Sequence, residues 1–375
     1  MITPALPEIE KMYSLGHGSL EWVVSIFLLG YVIGQLVYGP LANRFGRLNS
    51  LRIGLGINII GIVICIAGSC IACTRSYPLL LTGRFITALG SSSGLVCAII
   101  LVNELLTAER AKKAMTFMPI YFIAFSSAAV TIGGIVTQYW KWQDNFWLLF
   151  IHGVVMLILT WVFQETLRMQ KRINWQEITR GYLDALKSKK LVFFAMMVGS
   201  LTTVFYVYAA EAPLYAHKVL KLSASEYGYW SLVNMVGMVI GSLLSLFFLQ
   251  KYEIKSTFLI GSVSILLAYA FLVVLSFGHI QDALLFFLAT GFVFLFGSIQ
   301  YPVSCYISSN AIPDKASASG MMSFINIAMA TLGVVISGYL PLMPLRAFTL
   351  TIIVFFAIPA LCAWGYLLAN RNEKL

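Results

Sequence analysis

The chain is 375 residues long, with 59% apolar residues, only 11% charged residues and a mean hydropathy of +0.86. Ordinary soluble domains carry about 25% charged residues, so this composition excludes them. A net charge of +10 would suggest nucleic acid as a partner of a soluble protein, but here the basic residues fall in loops between apolar runs, where membrane topology accounts for them.

Residues 1–19 are polar, contain two prolines and lack an apolar core, so no cleavable signal peptide is read there. Beyond them, long and nearly uncharged runs suggest membrane spans. Eleven are expected, at 20–41, 50–72, 77–103, 114–138, 146–165, 191–215, 227–250, 256–278, 282–306, 317–340 and 346–369. Cys65, Cys70, Cys73, Cys97, Cys305 and Cys362 lie in or at the ends of these runs without paired spacing. They read as small packing residues rather than a metal or disulfide framework.

Between the first two spans, Gly39, Asn43, Arg44, Gly46 and Arg47 make a short loop that must turn tightly and that carries two positive charges. With the Arg44/Arg47/Arg52 loop inside, eighteen basic residues fall inside, six outside, and Arg84 alone within a span. That asymmetry predicts an external amino terminus and a cytoplasmic carboxyl terminus. The longest loop, 166–190, has seven basic residues and an apolar stripe at Trp175, Ile178, Tyr182 and Leu186. This spacing predicts an amphipathic helix on the cytoplasmic face; a solvated linker fits the same facts.

Inside the spans, Arg84 lies about 10 Å below the outer surface at 1.5 Å per residue. An intramembrane arginine normally faces the bundle interior, though snorkelling to the headgroups is the alternative. Glu211, among Tyr206, Tyr208, Pro213 and Tyr215, reads either as a protonatable carboxylate or as an interfacial one with its head in water. No other span shows a convincing buried acid; Glu104 and Glu165 are expected at cytoplasmic ends and Asp282 at an outer end. His152 reads as a satisfied interior histidine. Tyr31, Gln35, Asn58, Ser126, Thr131, Tyr208, Asn234, Gln300, Tyr301 and Asn326 offer a polar cavity lining or ordinary interhelical hydrogen bonds. Gly237-x-x-x-Gly241 and Ala316-x-x-x-Gly320 permit close helix approach. No nucleotide loop, metal spacing or nucleophile constellation is found, so an enzyme is not expected, nor a cofactor or metal.

The loop pattern G-x-L-A-x-R-x-G-R from Gly39 to Arg47 resembles the signature between helices two and three of the major facilitator superfamily, with Asn43 where that family usually has aspartate. Further motifs resemble its Bcr/CflA branch of drug–proton antiporters. They are Gly83 to Gly90, with Thr87 and Ala88 in place of glutamine and glycine; Asn103-Glu104 with Ala111-Lys112; and Gly133-Gly134 with Trp142 and Phe146, with Val130 in place of a proline. Glu165-Thr166-Leu167 and Ala212-Pro213 complete the set. The opening Met1 to Pro7 resembles the outer end of helix one, so the resemblance implies that the start is called late or that helix one is lost. It implies an all-α membrane protein with two pseudo-symmetric bundles, eleven transmembrane helices here of twelve, divided as 1–165, a cytoplasmic linker 166–190, and 191–375. It further implies a monomeric inner-membrane transporter with a small organic substrate, protons and the bilayer as partners, and no nucleic acid. Arg84 would couple proton and substrate movement, although the main acid of that branch lies in helix one. The loop at 39–47 would gate the cytoplasmic side, with Arg44 and Arg47 turning to helix ends or Glu104 where Asn43 lacks charge. Drug export is the implied activity. A siderophore, peptide or metabolite carrier, and a non-transporting sensor or scaffold, are the alternatives.

Overall fold

The computed structural model describes residues 1–16, 18–70, 76–165, 175–278 and 280–370. The described regular structure is helical throughout, in thirteen α-helices: α1 (Leu6–Tyr13), α2 (Trp22–Phe45), α3 (Arg47–Cys70), α4 (Tyr77–Leu105), α5 (Ala108–Tyr139), α6 (Asp144–Leu159), α7 (Trp175–Lys187), α8 (Lys189–Lys218), α9 (Ala224–Lys251), α10 (Ile254–Phe277), α11 (Ala283–Ser309), α12 (Lys315–Tyr339) and α13 (Pro344–Ala369). Ten helices among the described residues are long and apolar enough to cross a bilayer. Large apolar side chains such as Ile60, Leu267, Val274 and Leu361 are more than half exposed, as befits surfaces that face lipid tails rather than water.

Local sequence explains where the helices begin. Ser223 and Glu226 form a reciprocal capping box that opens α9. Asp282 accepts from the Leu285 N–H at 2.8 Å to open α11, and Ser188 accepts from Leu191 to open α8. Pro78 and Pro344 occupy the first turns of α4 and α13, where no backbone donor is lost. Pro213 lies inside α8, where its ring cannot bond back to the Ala209 carbonyl.

Helices α2, α3, α4 and α6 pack mainly on one another, and so do α8 to α13, while α5 packs mainly on α9. Within the second group, Gly237 and Gly241 give the close approach expected of them. A Cβ at these positions would collide with the carbonyl oxygens of Gly291 and Leu295, so α9 and α11 touch backbone to backbone. Gly320 works differently from the expectation that it serves span packing. Its open face receives the Tyr182 ring of α7, so the linker helix docks on α12. The side chains of Trp175 and Ile178 lie outside the described residues.

The two groups are joined at the end opposite Arg44, Arg47 and Arg52. There α5 crosses α9, with Thr131 Oγ1 donating to the Gly228 carbonyl at 3.0 Å and Gly134 set against the Ala224 carbonyl. Trp22 Nε1 donates to the Tyr339 hydroxyl at 3.2 Å, tying α2 to α12. The opening segment, a 3₁₀ turn at Thr3–Ala5 followed by α1, packs on α5, α8 and α9 with Ala5, Leu6 and Ile9 buried. Glu10 pairs with Lys218 at 2.7 Å, and the Tyr13 hydroxyl donates to the Gly68 carbonyl at 2.8 Å.

Filling the backbone contact between α9 and α11 tests this packing. Gly241→Val is expected to cost about 1–3 kcal/mol through overpacking, whereas Gly16→Ala, which meets nothing within 4 Å, should be neutral. Thermal unfolding of the detergent-solubilised protein compares the two; equal melting temperatures would contradict the close contact.

Candidate functional site

A small cavity of about 50 Å³ lies where the two groups meet. Ser126 and Ser127 of α5 form one side, facing Phe205 and Tyr208 of α8, Ser231 and Asn234 of α9, and Phe294 of α11. The aromatic wall is rigid, with Tyr208 and Phe294 edge to face at 5.3 Å and Phe205 and Phe294 likewise at 6.2 Å. Asn234 Oδ1 accepts from the Thr290 hydroxyl at 2.9 Å, which turns its amide nitrogen the other way. That nitrogen and the Tyr208 hydroxyl are both buried and lie side by side, where the hydroxyl oxygen can accept from the amide. The expected lining residues Ser126, Tyr208 and Asn234 therefore do come together. The space holds a water or two but not a drug-sized molecule, which needs about 300 Å³ or more.

The remaining expected lining residues fall elsewhere. Tyr301 lies beside Asn326, Cys305 and Tyr206, while Tyr31 lies beside Gln35 and also near Tyr206. This second cluster joins α2 to α8, α11 and α12. Tyr301 keeps 39% exposure beside these residues, so it borders an open space. Gln300 does not line either space. One residue from Tyr301 on a helix is a rotation of about 100°, and Gln300 turns into the second group, donating to Ser262 at 2.8 Å. Asn58 is an interhelical tie, bonded to the Thr87 carbonyl and the Ser91 hydroxyl. His152 is exposed on α6, which corrects the reading of an interior histidine.

Arg84 points from α4 toward α2. Its Nε donates to the Val23 carbonyl at 3.3 Å and its guanidinium stands 4.3 Å from the Phe27 ring centroid. Among the described residues no carboxylate lies within ion-pair distance of it. The ring and the carbonyl replace part of the lost hydration.

Glu211 is only 3% exposed, not an interfacial carboxylate with its head in water, and its Oε1 accepts from Ser337 at 2.6 Å. One residue on, a Cβ at Gly338 would meet the Glu21 carboxylate oxygen at 2.7 Å. Glu21 is 6% exposed and sits within electrostatic reach of Glu211. Two buried acids, one preceding α2 and one on α8, thus converge on the same turn of α12. This corrects the reading that no acid besides Glu211 is buried. The signal was present: Glu21 falls inside the expected span 20–41, at its first turn. Lys218, a cation within electrostatic reach of Glu211, is held by Glu10.

The segment 39–47 is not the expected loop: α2 runs on through Phe45 and α3 starts at Arg47, so the chain turns at Gly46 alone, and Glu165 reaches this corner at the basic end. Its carboxylate accepts from the backbone N–H groups of Arg47, Leu48 and Asn49 at 2.8, 3.1 and 3.1 Å, capping the start of α3. Gly46 has a φ of +106°, which favours glycine, and it leaves the room that Glu165 occupies. Arg47 Nη1 donates to the Ala42 carbonyl at 2.9 Å, while Asn43 and Arg44 are exposed. The helix end at α3 is therefore taken by Glu165, an acid that the sequence reading placed at this end without a role. The Glu104 side chain lies outside the described residues.

These features define a polytopic helical membrane protein with polar sites buried between two helical groups. The family model of the Major Facilitator Superfamily matches residues 1–338, and the chain belongs to that family. It is 24% identical over 264 residues to an uncharacterized transporter of Rickettsia felis, covering 69% of this chain and 63% of that protein. It is 21% identical over 254 residues to a bicyclomycin resistance protein homolog of Haemophilus influenzae, covering 67% and 62%, and 26% identical over 167 residues to the multidrug resistance protein Stp of Mycobacterium tuberculosis, covering 44% and 30%. The chain thus spans less than two thirds of the length of these relatives. Among solved structures, a D-xylose-proton symporter superposes with a TM-score of 0.78 at 16% identity, over 100% of this chain and 93% of that one. The partially occluded inward-open xylose transporter XylE from E. coli gives 0.71 at 15%, over 100% and 94%. Both share the fold.

Removing the cap at the basic end tests its contribution. Glu165→Ala is expected to lower stability by about 1 kcal/mol, the usual worth of a helix cap. Urea or thermal unfolding measures it, and a neutral substitution would show that the contact is incidental.

Proposed function

We propose that this protein is a secondary transporter of the Bcr/CflA type in a bacterial inner membrane, exporting a small organic molecule in exchange for protons. The two helical groups are its two halves, 1–165 and 191–375, joined by the linker 166–190, and they rock against each other by alternating access. The basic end is the cytoplasmic one, because lysine and arginine concentrate there. The observation that carries the reading is the junction itself. Its polar residues come from both halves, and the halves are tied together at the end opposite the basic one while Tyr301 still borders open space. The resistance names borne by two relatives support export as the direction.

In this reading Glu211 and Glu21 carry the proton and Arg84 answers to it. Two carboxylates withdrawn from water side by side are accommodated when a shared proton cancels one of the charges. Loss of that proton restores repulsion across the closed end and favours its opening. The cluster of Tyr31, Gln35, Tyr301 and Asn326 and the cavity at Ser126, Tyr208 and Asn234 lie along the substrate route.

Retention of a fluorescent dye in cells, with and without a protonophore, is the direct test. Protonophore-sensitive efflux is expected, reduced to the level of cells lacking the protein by Arg84→Ala and by Glu211→Gln. Efflux that survives both substitutions would remove these residues from the coupling. Among the described residues no carboxylate stands beside Arg84, which favours a second reading, a non-transporting sensor or scaffold, for which no dye leaves at all.

The segment 39–47 acts as the cytoplasmic gate. Asn43→Asp adds a charge beside Arg44 and Arg47, strengthens closure of that side and shifts the protein toward the outward-open state. Thiol labelling from the two faces of the membrane reads the shift, and unchanged labelling counts against the gate.

A further inference from the structure

The opening segment is anchored beside the two buried acids, once on each helical group. On the first group, the Tyr13 hydroxyl donates to the Gly68 carbonyl of α3 at 2.8 Å, and its ring packs on that of Tyr77 in α4 with centroids 5.6 Å apart. Met12 Sδ accepts from Gln143 Nε2, just before α6, at 3.6 Å. On the second group, Glu10 pairs with Lys218 in the last turn of α8. These anchors adjoin the acids: Tyr77 is within electrostatic reach of Glu21, and Lys218 of Glu211. Tyr77 also donates to the Ser19 carbonyl, two residues before Glu21.

The two anchorages differ in kind. Tyr13 and Met12 hold the first group through a ring, a sulfur and a backbone carbonyl, all partly buried. The ion pair stands in water, with 47% of the Lys218 side chain and 30% of that of Glu10 exposed. Such a pair is weak and is screened by salt. Between the anchors, Leu6 and Ile9 turn into the interior at 1% and 0% exposure, so α1 covers its end of the junction with an apolar face. The joint to α2 offers room to swing. Ser14 closes α1 with a φ of +49°, and a Cβ at Gly16 would meet nothing within 4 Å.

We propose that α1 is an outer strap over the Glu21/Glu211 site: it stays on the first group and lets go of Lys218 when the two groups part, which admits water to the acids. This rests on the reading of those acids as the proton carriers. Glu10 and Lys218 are a positioning pair that sets how readily the strap lets go. Release also frees the Lys218 ammonium, about two turns from Glu211 on the same face of α8, as a counter-charge for the carboxylate once its proton has left.

A water-soluble carbodiimide with an amine nucleophile modifies carboxyl groups that water can reach, and mass spectrometry reads Glu211 alone. Its labelling rate is measured on the full-length protein in lipid nanodiscs, beside hydrogen exchange of the α1 amides. Glu10→Gln and Lys218→Gln are each expected to speed both readings about two- to fivefold, the range of an exposed ion pair. Glu10→Lys combined with Lys218→Glu restores the attraction and should return both readings to near the native rates. Exchange in α10, which packs on α11 and α13, serves as the fold control. Unchanged labelling in both single variants, labelling that rises without faster exchange in α1, or a reversed pair as fast as the single variants would each overturn the proposal. Protonophore-sensitive efflux is read separately. Faster labelling beside efflux that ignores Glu211→Gln refutes the proton site and leaves the strap standing. Efflux that depends on Glu211, beside unchanged labelling, refutes the strap and leaves the proton site standing.

Discussion

In hydrocarbon no water is at hand to satisfy a polar group, so every buried donor, acceptor and charge must find its partner inside the protein. The rest of the structure depends on this constraint. It makes helices the regular element of the fold and lets Pro213 persist in α8 where its surroundings are protein rather than lipid. It also explains why the polar side chains gather along the junction of two helical groups while large apolar side chains face outward.

The same constraint gives the two ends of the molecule different chemistries. At the basic end a carboxylate, Glu165, lies on the amino terminus of α3 and is answered by three backbone donors. At the opposite end two carboxylates meet on one turn of α12, and the Ser337 hydroxyl donates to that of Glu211. The first arrangement is satisfied with the acid ionised. The second is charged at a cost, and it is the place where the two groups are drawn together.

Sequence made the fold class legible because long apolar runs and basic loops are one-dimensional signals. Corner residues such as Gly46 and Arg47, and span residues such as Arg84 and Glu211, stood out for the same reason: each is exceptional in its own neighbourhood. What sequence did not convey is azimuth. Gln300 and Tyr301 are neighbours in the chain but turn to different surroundings, and His152 faces outward where an interior position was expected. Gly320 accepts a ring from the linker helix, a partner more than 130 positions away. Glu21 was overlooked because at a span boundary a wet acid and a buried one look alike; only the approach of α12 distinguishes them. Glu165 was seen as an end marker, because its partners are backbone groups that carry no residue-type signal.

Tyr208 and Glu211 are three residues apart on α8, hence on one face of a stiff rod about one turn long between them. A small roll of that rod carries the hydroxyl and the carboxylate through the same arc. If cargo and proton bind at these two positions as proposed, occupancy at either biases the other by an equal free energy, because linkage between two binding events is reciprocal. In that reading a single helical lever makes the two answer to each other.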